Sequence, residues 1–219
     1  MREIESIIFQ AIDDKVFPGI EILVAKGSKL LFHKAFGKKD MDDHSQNLPL
    51  NALFDFASIT KPIATTSAIL HLVDEGLIGL DDPFIKYIPE FEDPGAANVS
   101  LRQLMSHSSG LPYWLDLFHP EFSFEAGWNK LMRTPLQNSP GAITVYSCLG
   151  HILLGEIIRR ISRQDLKTFC RQNLFEPLDI FDLTFRPLED SPENLIIPTG
   201  YCDIRKKKLI GVVHDENAD

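Results

Sequence analysis

Ser58-Ile59-Thr60-Lys61 stands at the head of a strongly apolar stretch. Residues three apart share one face of a helix, so the hydroxyl of Ser58 and the ammonium of Lys61 can approach each other. A serine hydroxyl is a poor nucleophile until a base takes its proton. A lysine in a partly desolvated site can have its pKa lowered enough to do so. The start of a helix adds positive potential, which helps hold the amine neutral and stabilises negative charge developing near Ser58. The plainer alternative is that Ser58 caps the helix and Lys61 is a surface residue. Against it, capping boxes place Glu or Gln where this chain has a lysine. Pro62 fits a first turn and fixes its geometry.

Tyr146-Ser147-Cys148 follows the turn Ser139-Pro140-Gly141 and precedes a second strong helical pattern. With its pKa depressed by a nearby lysine, Tyr146 could share the Ser58 proton or return it to a leaving group. The alternative is a packing residue whose hydroxyl is satisfied at a helix start. His107, in Met105-Ser106-His107-Ser108-Ser109-Gly110-Leu111-Pro112, invites comparison with a hydrolase triad. The segment lacks the G-x-S-x-G frame of a nucleophile elbow and reads as a helix ending in a turn, so His107 is assigned a structural role. His214-Asp215-Glu216 has no second cluster at partner spacing, and no metal site or cofactor is expected. The three cysteines, Cys148, Cys170 and Cys202, are odd in number and not at ligand spacing. They predict buried reduced thiols rather than a disulfide framework or a zinc site.

These residues need elements to hold them. Charges at helical spacing in Met1-Arg2-Glu3-Ile4-Glu5-Ser6-Ile7-Ile8 predict an amphipathic N-terminal helix, not a signal peptide. Ile20, Ile22 and Val24 alternate, Lys26-Gly27-Ser28-Lys29 makes a turn, and residues 30–37 are again apolar, which together predict a β-hairpin. From about residue 55 the pattern becomes helical. Residues 63–77 form a helix apolar nearly all round. Residues 101–107 form a short helix started by Ser100 and stopped by Gly110 and Pro112. Leu149, Ile152, Leu153, Ile157 and Ile161 make a helical stripe, with Gly150 and Gly155 permitting close packing. Residues 165–174 form another helix, and residues 196–213 return to short extended runs. The predicted organisation is thus residues 1–55, helix and hairpin; 56–195, mainly helical; and 196–219, an incomplete return to the sheet.

Composition bounds the partners. The chain has 219 residues, 44% of them hydrophobic and 24% charged, with a formal charge of −9. That describes a globular chain able to bury a core. The one basic run, Arg205-Lys206-Lys207-Lys208, reads as a solvated turn, so nucleic acid is not an expected partner. No stretch reaches the ~18 to 20 apolar residues that span a bilayer. A cytoplasmic location is expected from the chain as given, or a periplasmic or extracellular one if an export signal lies outside it.

Taken together, the segments resemble the serine β-lactamase and penicillin-binding-protein superfamily, in its class C-like branch of β-lactamases, D,D-peptidases and esterases. The resemblance is carried, in family order, by Phe54-Asp55-Phe56-Ala57-Ser58-Ile59-Thr60-Lys61-Pro62, by Leu80-Asp81-Asp82-Pro83 with Tyr87-Ile88-Pro89-Glu90-Phe91, and by Leu104-Met105-Ser106-His107-Ser108-Ser109-Gly110-Leu111-Pro112. Ser139-Pro140-Gly141 and Tyr146-Ser147-Cys148-Leu149-Gly150 follow. Pro198-Thr199-Gly200 and Val213-His214-Asp215-Glu216-Asn217-Ala218 resemble a later stretch of some esterase-like members. The resemblance implies an α+β fold of the β-lactamase/transpeptidase type. Ser58 would be the acylated nucleophile, Lys61 its base partner and Tyr146 the proton shuttle. The reaction implied is acyl-enzyme formation and hydrolysis on a small-molecule amide or ester: a β-lactam, a D-Ala peptide or a small ester.

Two departures qualify this. The second motif usually reads Tyr-x-Asn, and Cys148 holds the third position, where a thiol cannot donate and accept like an amide. The family's third motif, Lys-Thr-Gly or His-x-Gly, has no match after Tyr146, and the chain stops at Asp219. The resemblance therefore implies that C-terminal sheet strands are missing, with one of the two oxyanion-hole donors among them. Two further readings follow from it. One is a truncated or split member without activity, able to take a complementing chain or self-associate through an open sheet edge. The other is a non-catalytic binding module of the same fold.

Overall fold

A computed structural model of the chain describes residues 2–42, 44–117, 123–215 and 217. Glu216 and Ala218, within the sequence stretch noted near the C-terminus, lie outside the described residues. Arg2–Asp13 forms helix α1, with Glu3 and Glu5 in its first turn where acidic side chains complement the helix N-terminus. Strands β1 (Gly19–Lys26) and β2 (Lys29–Gly37) pair antiparallel in the predicted hairpin, with a bulge between Val24 and Ala25. Beyond Ala57 the chain is helical: α2 (Ser67–Asp74), α3 (Leu101–Met105), α4 (Phe124–Met132), α5 (Cys148–Ser162) and α6 (Leu166–Cys170). A short helix α7 (Pro187–Asp190) leads to a second antiparallel pair, β3 (Pro198–Cys202) and β4 (Lys207–Ile210). The fold is of the expected α+β class, with two small sheets among the described residues.

The chain divides into two units, Met1–Ala57 with Thr184–Asp219, and Ser58–Leu183. The second ends earlier than the sequence pattern predicts. Residues 184–195 fall with the first unit, because backbone hydrogen bonds claim their end. Leu53 N–H donates to the Leu195 carbonyl at 2.8 Å, and Ile197 N–H donates to the Leu53 carbonyl at 3.0 Å. In the first unit the basic run is split between a turn and β4, and Lys208 pairs with Asp40 and Asp42.

The core of Ser58–Leu183 is built on α2 and α5. Ala68, Ile69 and Leu72 of α2, with Leu149, Leu153, Leu154, Ile157 and Ile158 of α5, are buried in one cluster with Phe84, Ile88, Leu101 and Leu104. Truncating such a side chain to alanine typically costs ~2–5 kcal/mol, so this cluster holds α5 against α2. Arg160 ties the far end of α5 to the 84–90 segment, pairing with Glu156 and Glu90 and donating to the Tyr87 carbonyl at 2.9 Å. Gly150 allows α5 close to α3: a Cβ there would lie 3.1 Å from the Leu104 carbonyl oxygen. Gly155 plays no such part, since a Cβ there would meet no atom within 4 Å.

Two segments depart from regular α-helix. Lys61–Thr66 is a π-helical segment leading into α2, where Ser67 Oγ donates to the Pro62 carbonyl at 2.9 Å. Arg171–Phe175 is a second, continuing α6. Wide turns of this kind occur mostly as short insertions and often at functional sites. Short α3 starts as its sequence predicts, on a capping box in which Ser100 and Gln103 satisfy each other's backbone N–H groups.

Candidate active site

Ser58 sits in a 3₁₀ turn, Ala57–Ile59, just before the π-helical segment, and its residue is exposed. The N-cap of that segment is Thr60, without a side-chain cap bond. Ser58 is therefore not the cap of that segment. Ala57 has φ 43°, in the left-handed region that costs a non-glycine residue roughly 1–2 kcal/mol. Backbone strain of this sort clusters at functional sites.

Lys61 is half-buried, and its Nζ donates to Ser58 Oγ at 3.1 Å. The same ammonium lies 5.3 Å from the centre of the Tyr146 ring. Three segments of one unit thus bring together the three residues singled out in the sequence. The expected protonation of Lys61 needs correcting. Burial does pull its pKa down, but hydrogen bonding to Tyr146 and the charges that Cys148 and Tyr146 carry when ionised outweigh burial, leaving the amine above the usual lysine value. Partial desolvation alone predicts a neutral amine; two acidic neighbours reverse the sign. At neutral pH Lys61 is an ammonium.

Tyr146 is presented by the approach to α5. Ser147 is the N-cap: its buried Oγ accepts from Leu149 N–H at 3.3 Å and donates to the Pro112 carbonyl at 2.7 Å. Tyr146 projects one residue earlier and remains 42% exposed, so its hydroxyl is not locked in the core. Cys148, half-buried, is the first residue of α5. The other thiols differ. Cys170 and Cys202 are buried, and burial pushes Cys170 up to about 12, where it is inert.

Two histidines lie against this group. The His107 ring is 4.5 Å from the Tyr146 ring and 5.1 Å from that of His151, centre to centre. His107 does end a helix, as its sequence context predicts, but it also touches the candidate shuttle. Sequence alone does not distinguish His151, because one histidine in an apolar helical stripe looks like core. The available signal was its place five residues after Tyr146. It is 8% exposed, its Nδ1 has no hydrogen-bond partner among the described residues, and burial drives its pKa down from 6.5 to about 4.

Among the described residues no group of three or more His, Cys, Asp or Glu side chains could hold a metal ion, and no helix is long and apolar enough to cross a membrane. An open depression of about 600 Å³, lined by Pro112, Trp114, Arg133 and Gln137 among others, includes none of Ser58, Lys61 and Tyr146. The candidate site is an exposed surface constellation.

Residues 4–195 match the Beta-lactamase family. A protein of Escherichia coli (strain K12) named "Putative D-alanyl-D-alanine carboxypeptidase" is 30% identical over 238 aligned residues, covering 94% of this chain and 54% of its own. The chain spans about half the length of the curated relatives it matches. The octameric penicillin-binding protein homologue from Pyrococcus abyssi superposes with a TM-score of 0.76 at 23% identity, covering 98% of this chain and 51% of that one. A class C β-lactamase mutant superposes with a TM-score of 0.77 at 19% identity, covering 98% and 58%. These two likenesses concern the fold.

Proposed function

The chain belongs to the β-lactamase family, and from that membership we propose that it is a serine hydrolase working through an acyl-enzyme on Ser58. The single observation that carries the reading is that one ammonium, Lys61, reaches both the Ser58 hydroxyl and the Tyr146 ring. Because Lys61 is already protonated, it does not take the serine proton. We assign the proton-accepting role to the Tyr146 oxygen, on the ring that lies beside the Lys61 ammonium. Ser58 Oγ attacks the substrate carbonyl carbon as its proton passes to the Tyr146 oxygen. The tetrahedral oxyanion forms near the Ser58 backbone N–H. On collapse the bond to the leaving amine or alcohol breaks, and that group takes the proton from Tyr146. Water then attacks the Ser58 ester, gives a proton to Tyr146, and the acid departs as Ser58 is reprotonated.

The substrate we infer is an amide or ester of the D-alanyl-D-alanine type, on the name borne by the Escherichia coli relative. A second reading, a non-catalytic member of the family, is favoured by Cys148, which offers no amide to a substrate. Incubation with a fluorophosphonate and with a penicillin, read by intact mass, separates the two. One adduct on the native chain and none on Ser58→Ala is expected. No adduct on either folded protein overturns the hydrolase.

A further inference from the structure

Tyr146 lies in a connecting segment, one residue before the cap of α5, and two backbone N–H groups bracket it. The Val145 N–H donates to the carbonyl oxygen of His107 at 2.9 Å. The Ser147 N–H donates to Nδ1 of the same histidine at 3.1 Å. The His107 ring packs on the Tyr146 ring between these two bonds, 4.5 Å centre to centre. One residue, distant in sequence, thus holds the peptide on each side of Tyr146 and the face of its ring.

The backbone of His107 is bent to make this possible. It has φ 58°, the left-handed conformation, where histidine is one of the few tolerated side chains. That conformation turns both the carbonyl and the ring toward residues 145–147. Nδ1 can accept from Ser147 only when unprotonated, so the proton of the neutral ring is on Nε2.

We propose that His107 is the positioning residue of Tyr146, a two-point clamp that sets the phenol against Lys61 and must be neutral at Nδ1 to do so. The inference deepens the hydrolase reading and rests on it for its kinetic consequence, but the clamp itself is testable without activity. Acid adds a proton to Nδ1, two donors then face each other, and the Ser147 bond is lost. The titratable groups around the ring are Lys61 on the π-helical segment, Tyr146 beside it, and His151 on α5. Burial and the Lys61 charge both hold the His107 pKa below its ordinary value. The clamp therefore stays closed through neutral pH.

Two variants of the full chain test this. His107→Gly accepts the left-handed conformation and keeps the carbonyl, but loses the ring and Nδ1. His107→Asn tolerates the same conformation and offers Oδ1 where Nδ1 stood. The rate of Ser58 modification by a fluorophosphonate is expected to fall ~10²-fold in the glycine variant, the usual scale for a misplaced group, and to recover mostly in the asparagine variant. The acid limb of the rate profile should lie below the ordinary histidine range in the native chain and vanish in His107→Asn. Equal rates for native and glycine proteins, or an asparagine variant as slow as glycine, overturn the clamp. If the glycine variant does not fold, native and asparagine profiles decide. If the native chain is not labelled at all, the hydrolase reading fails. The clamp is then decided by nuclear magnetic resonance: an unprotonated His107 Nδ1 with a slowly exchanging Ser147 amide supports it, and a protonated Nδ1 with a fast-exchanging amide overturns it.

Discussion

The Lys61 ammonium stands 5.3 Å from the centre of the Tyr146 ring, within reach of a cation–π attraction as well as of the phenol's charge. Removing the hydroxyl alone separates the two. Tyr146→Phe keeps the ring and its packing on His107 but deletes the group that helps raise the Lys61 pKa. The Lys61 pKa is expected to fall, and acylation of Ser58 to slow by ~10²- to 10⁴-fold, the usual worth of a general acid–base group. Titration of the lysine Nζ resonance and the fluorophosphonate rate check the two halves.

Cys148 acts on the same lysine, through charge when its thiol ionises. Both Cys148→Ser and Cys148→Asn should lower the Lys61 pKa, moving the alkaline limb of the labelling rate to lower pH. Only the asparagine variant adds an amide that can donate to and accept from a substrate amide. Acylation by a penicillin should therefore rise in Cys148→Asn and not in Cys148→Ser. A rise in both would assign the effect to Lys61 instead.

His151 makes stability depend on pH. Its folded pKa is depressed to about 4, so between about 6.5 and 4 the unfolded chain binds a proton that the folded chain refuses. Stability must then fall as pH drops through that window and level off below it. A full shift of this size is worth at most ~3 kcal/mol. His151→Phe removes both the titration and the unpartnered Nδ1. Urea unfolding should show native and variant chains close at pH 7.5 and the variant more stable at pH 4.5.

Two glycines should respond in opposite directions. Gly110 has φ +87°, and a Cβ there would stand 2.1 Å from the Asn138 carbonyl oxygen. Its own carbonyl accepts from Gln137 N–H at 2.8 Å, in the set of backbone bonds that aligns 107–110 with 137–145. Gly110→Ala should cost ~2 kcal/mol or more and loosen the support of His107 and Tyr146 together. Gly155 lies inside α5 with open space where a Cβ would be, so Gly155→Ala should stabilise by ~0.5–1 kcal/mol. Thermal unfolding reads both.

The parts of this molecule visible in its sequence are those set by local periodicity. Ser58 and Lys61 meet because three residues make nearly one turn, and that is legible in the spacing. The hairpin, the stripe of α5 and the Ser100 cap are legible for the same reason. The π-helical segments Lys61–Thr66 and Arg171–Phe175 are not, since the apolar periodicity does not distinguish a π turn from an α turn. The charge state of Lys61 depends on Tyr146 and Cys148 arriving from far along the chain, so a local argument about burial had the wrong sign. His107 was legible as a helix end, but its hold on Val145 and Ser147 is a tertiary fact. Gly155 shows the converse error: small-residue spacing suggested an approach that no neighbour makes.

Ser58–Leu183 is one uninterrupted stretch, whereas its companion unit is assembled from Met1–Ala57 and Thr184–Asp219. On the ribosome, where chains emerge N-terminus first, this imposes an order. Every residue of the candidate site is available for folding before β3 and β4 have been synthesised, while Leu53 must wait for the backbone partners that Leu195 and Ile197 bring to it. Folding the inner stretch early also brings the two flanking segments closer together, shortening the loop that the outer unit must close.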